Sequence, residues 1–193
     1  MSKVVSIATA TLIVAAATVG LTAPAEAAAK PRCTTGTWKL VGEKGWYKGV
    51  DGKGRKFKTV VKGAAGVRLK LGGGKAAYSF TGSKKERFTY TDAKGHISGW
   101  ARYTGSLTVG FKVTGNKSGT VLVKHRTAKG NAVVHPSKGS SVRLAPVLRK
   151  NSESLVAMGN WAGFGCSSHF LVLVSSASSK KTSYDVTLTY RRV

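Results

Sequence analysis

The chain has 193 residues, with 32 Lys and Arg against 7 Asp and Glu and a formal net charge of +25. Such a surface repels itself and attracts polyanions such as nucleic acid, anionic wall polymers and acidic glycans. Hydrophobic residues at 41% exclude a disordered basic tail, and two cysteines exclude a cysteine-rich metal or disulfide scaffold.

Residues 1–27 open with Lys3, run through apolar residues from Val4 to Leu21 and close on Ala25-Glu26-Ala27. This is the pattern of a secretory signal peptide, and it predicts export. Residues 28–193 are then read as a single domain, still carrying +25 once Lys3 and Glu26 are set aside. The basic residues are dispersed, in no block longer than the pairs Lys84-Lys85, Lys180-Lys181 and Arg191-Arg192. In an exported chain the two cysteines, Cys33 and Cys166, read as one disulfide.

Short alternating runs dominate the rest of the chain. Val67, Leu69 and Leu71 alternate with Arg68 and Lys70; Tyr78 and Phe80, then Phe88 and Tyr90, form two shorter runs. In SLTVGFKVTG, Leu107, Val109, Phe111 and Val113 alternate with Thr108, Gly110 and Lys112. Val186, Leu188 and Tyr190 repeat the pattern at the end. A period of two puts one face in a core and the other in water. Gly-rich breaks at 72–74, 81–83, 93–95, 114–116, 129–131 and 138–140 supply the turns. The expected fold is all-β: a single antiparallel β-barrel of about eight to ten strands, with a β-sandwich as the alternative. NSESLVAMGN (151–160) is the helix candidate or equally a loop over one end of the sheet, GNWAGFG (159–165) reads as a lid or inward-folded loop, and SSASSKK (175–181) as a long hairpin loop.

Gly36-Thr37-Trp38 heads the first strand, and a G-x-W there resembles the start of the calycin barrels, the group of the lipocalins. The resemblance implies that Trp38 plugs the closed end of the barrel. It also implies that a cation from the last strand, Arg191, packs across that ring. A bridge from the N-terminal segment to a late strand, Cys33 to Cys166, fits the same pattern.

Catalytic motifs are not found: no G-x-S-x-G elbow, no H-E-x-x-H and no P-loop. Glu43, Asp51, Glu86, Asp92, Glu153 and Asp185 are scattered, with nothing to mark a pair. His96, His125, His135 and His169 lack short ligand spacing, so neither metal nor cofactor is expected. The remaining candidate is a pocket. Trp46, Tyr78, Phe88, Trp100, Tyr103, Phe111, Trp161 and Phe164 are the aromatics available to line a barrel mouth. The sequence therefore predicts a secreted, non-enzymatic protein holding a small apolar or amphipathic ligand in a lipocalin-like barrel. The alternative is a basic surface-binding protein for anionic wall polymer, glycan or nucleic acid.

Overall fold

A computed structural model describes residues 34–50, 53–150, 161–179 and 182–193. Among the described residues there are thirteen strands. They are β1 (Gly36–Val50), β2 (Lys56–Lys62), β3 (Arg68–Gly72), β4 (Lys75–Ser79), β5 (Glu86–Asp92), β6 (Gly95–Thr104), β7 (Ser106–Gly115), β8 (Ser118–Gly130), β9 (Val133–Pro136), β10 (Val142–Arg143), β11 (Trp161–Cys166), β12 (Phe170–Ser178) and β13 (Thr182–Arg192). A short helix, α1 (Leu144–Lys150), buries Leu144, Ala145 and Leu148. The expected helix at 151–160 lies outside the described residues.

Eight strands close into an antiparallel barrel in the order β1, β3, β4, β7, β8, β11, β12, β13, with β13 returning to β1. Each is adjacent to the next barrel strand along the chain, so the barrel is an up-and-down meander. The other five strands come from three of its connections. β2 lies between β1 and β3, β5 and β6 between β4 and β7, and β9 and β10 between β8 and β11. They assemble with one another, in the order β2-β5-β6-β9-β10, onto the second half of β1. Strand β1 makes this possible by its length. Its residues 36–39 pair with β3 and its residues 44–50 with β2, while β13 runs along its other edge.

The alternation of the sequence is what fills the interior. Leu69 and Leu71, Ala76 and Tyr78, Leu107, Val109 and Phe111, Val121 and Val123, Ala162 and Phe164, Leu171 and Leu173, Leu188 and Tyr190 all belong to one buried core. That core continues beneath the extension through Ala101, Tyr103 and Val134. Two stretches expected to be loops are strands. Residues 161–166 form β11, a wall strand with Ala162 and Phe164 inside. Ser175–Ser178 extend β12 against β13, because pairing with Ser183–Val186 satisfies their backbone whatever their side chains.

Candidate functional site

Trp38 is fully buried at the start of β1. A cation does lie over it, but it is Arg192 and not Arg191: the Arg192 guanidinium sits 4.7 Å from the ring centroid. The reason is strand parity. Val186, Leu188 and Tyr190 point inward, so residue 192 follows on that face, directly across from Trp38, while Arg191 pairs with Lys39 and is exposed. Arg192 also donates to the Thr35 carbonyl at 3.2 Å. Cys166, at the end of β11, packs against the core; its expected partner, Cys33, lies outside the described residues.

Of the aromatics expected to line a pocket, those whose side chains are described do not all converge. Tyr78, Tyr103, Phe111 and Phe164 are packed within the core. Phe88 is half-buried on the inner face of the extension, and Trp46 and Trp100 are half-buried on its outer face. Trp161 pairs through its backbone with Leu122 on β8.

Two other arrangements stand out. The first is inside. Leu40 and Gly42 flank a β-bulge on β1 that shifts the register by one residue. The inward set therefore passes from Trp38 and Leu40 to Glu43, which simple alternation would have turned outward. Glu43 and Glu86 are each 3% exposed. Tyr103 donates its hydroxyl to Glu86 Oε2 at 2.5 Å, whereas neither oxygen of Glu43 has a hydrogen-bond partner among the described residues. Burial, reinforced by repulsion from Glu86, pushes the Glu43 carboxyl up to about 8. Burial raises Glu86 to about 7, with the Tyr103 hydrogen bond acting in the opposite direction. Near neutrality the pair retains at least one proton. It lies where β1 leaves β3 for β2, so it joins barrel to extension.

The second arrangement is outside. Lys44, Lys62, Arg87 and Trp100 are direct neighbours across β1, β2, β5 and β6. This row crosses the sheet at about 4.8 Å per strand. Beside it is a cleft of about 620 Å³ lined by Lys62, Gly63, Ala65, Ser83, Lys84, Lys85, Arg87 and Arg102. Five of those eight residues are cations, and no carboxylate is among them. The walls are fixed by backbone: Lys84 N–H donates to the Ala65 carbonyl at 2.7 Å. Gly63 has φ of 120°, and a Cβ there would sit 2.8 Å from the Lys85 carbonyl oxygen, so only glycine permits this approach. Lys85 Nζ lies 3.8 Å from the Trp100 ring centroid, and Lys48 Nζ 5.0 Å from that of Trp46.

Of the carboxylates in the described residues, Glu43 and Glu86 are buried and Asp92 accepts from the Lys94 N–H in a turn. Asp185 takes the outward register beside Trp46. The cationic row thus has one acid at its far end and none at the cleft. On the inner face of the extension a groove of about 370 Å³ is lined by Thr59, Phe88, Tyr90, Ile97, Ser98, Ser137 and Lys138. Among the described residues no group of His, Cys, Asp and Glu is placed to hold a metal ion, and no helix is long and apolar enough to cross a membrane.

The dispersed charge of the sequence hid the cationic row, because its members are distant along the chain and meet only by strand pairing. The carboxylate pair was equally invisible, since a bulge sets its inward direction. No protein-family model, curated protein or solved structure matches the chain.

Proposed function

We propose that this is a secreted, non-enzymatic binding protein that holds an anionic polymer on the outer face of its sheet extension. The observation that carries the reading is the cleft with five cations and no carboxylate. Like charges held in a concave site repel one another and concentrate a field that only an anion relieves. Export is supported by the signal-like residues 1–27.

The test is a titration of fluorescently labelled polyanion at increasing salt. Affinity should fall steeply and linearly on a log–log plot, and neutralising Lys62, Arg87 and Arg102 together should flatten the slope. Binding that is unaffected by salt, or by those substitutions, would refute the reading.

A second reading keeps the small amphipathic ligand but places it outside the barrel. The groove at Phe88, Tyr90 and Ile97, with Lys138 at its edge, suits an apolar body with an acidic head. Native mass spectrometry of protein purified gently from its host tests this: a discrete extra mass, lost with substitution of Phe88 by Ala, supports it, and a bare chain counts against it.

A further inference from the structure

We infer that the polymer held on this face is an anionic glycan, lying across the strands with a charged substituent in the cleft and a sugar ring against Trp100. The inference rests on the polyanion reading and narrows it to one class of partner.

Three features select a glycan. The first is spacing: Lys44, Lys62 and Arg87 sit on successive strands whose backbones are about 4.8 Å apart. That repeat matches a polymer bearing one charge per sugar ring. The phosphates of an extended single-stranded nucleic acid are spaced more widely. The second is the state of the indoles. Trp100 is half-buried and already has the Lys85 ammonium over its ring at 3.8 Å; Trp46 has that of Lys48 at 5.0 Å. A nucleobase stacks over a whole open aromatic face and would have to displace the lysine. The C–H face of a sugar needs only the uncovered part of the ring and leaves the ammonium free to meet a neighbouring charge. The third is position. Trp100 ends the row on β6, and Trp46 lies two residues beyond Lys44 on β1. The two indoles therefore bracket the cations three strand spacings apart, so a single chain across the row would meet them with sugars about three rings apart.

The experiment compares a hexagalacturonate, which carries one carboxylate per ring, with a single-stranded oligothymidylate of equal charge, by calorimetry at fixed salt, on the wild-type protein and on Trp100→Ala, Trp46→Ala and Lys62→Gln. The same titrations repeated at a second salt concentration give the slopes. Thermal melts establish that each variant is folded; if Trp100→Ala is not, Trp46→Ala carries the same comparison. The glycan should bind at least about tenfold more tightly. Each indole substitution should cost it about tenfold without altering the salt slope, whereas Lys62→Gln should reduce the slope. Equal affinities with no effect of the indole substitutions would overturn the glycan assignment and leave the polyanion reading standing. Tighter, Trp-dependent binding of the oligonucleotide would replace the glycan by nucleic acid. Failure of both ligands to bind would end both readings.

Discussion

Replacing Glu43 by Gln tests the buried carboxylate pair directly, because Gln keeps the shape of a protonated glutamate and cannot ionise. The folded state raises Glu43 from 4.5 to about 8, through burial first and repulsion from Glu86 second. The fold therefore retains a proton that the unfolded chain releases. Below about pH 4 both states are protonated and the pair costs nothing. As pH rises through the unfolded value, stability begins to fall, and it goes on falling until the folded carboxyl has itself ionised, near pH 8. At about 1.4 kcal/mol per unit, ionised Glu43 removes roughly 3–5 kcal/mol at alkaline pH, a large share of the about 5–15 kcal/mol available to a domain. Urea denaturation of wild-type and Glu43→Gln protein at about pH 5 and about pH 9 reads this difference. The two should agree within about 1 kcal/mol at the acidic pH, and the variant should be more stable by several kcal/mol at the alkaline one. Equal losses of stability in both proteins between the two pH values would refute the buried, uncompensated carboxylate.

Tyr103→Phe keeps the stack on Phe80, whose centroid is 5.5 Å away, and removes only the donor to Glu86. It should cost about 1–3 kcal/mol, most of it above neutrality where Glu86 needs that donor, and melting curves across pH will show it. Arg192→Ala should lower the melting temperature, by about 1 kcal/mol of lost cation–π contact, and alter Trp38 fluorescence. Arg191→Ala should do neither, and the reverse result would contradict the register of β13. Gly99→Ala drives a Cβ into the Phe88 ring and places it 2.7 Å from Ser137 Oγ, which accepts the Trp100 N–H. Such overpacking costs about 1–3 kcal/mol, and faster hydrogen exchange confined to β5, β6 and β9 is the expected signature.

Much of the barrel was legible in the sequence because its signal is local. Alternation in 67–71, 107–113 and 186–190 gives strands whose inward residues are the inward residues of the structure. Trp38 was recognisable as a core plug from its place after Gly36. The same logic failed by one residue at the other end of the chain, where the cation on Trp38 proved to be Arg192. Residues 159–165 and 175–181 read as loops for a related reason, although 161–166 and 175–178 are strand. Glycine and serine weaken local strand preference, but β8 and β12 on either side of 161–166, and β13 beside 175–178, supply the hydrogen bonds that fix them in the sheet.

Composition and periodicity by themselves determined a basic, all-β domain with an apolar core, since charge and alternation are properties of the chain. Tertiary structure alone decided where the charge would act. Lys44, Lys62, Arg87 and Trp100 become a row only because insertions from separate barrel connections pair side by side. Glu43 faces Glu86 only because one extra residue in β1 reverses which side of the strand looks inward. Both depend on register, and register is set by strands distant in sequence, not by the residues it brings together.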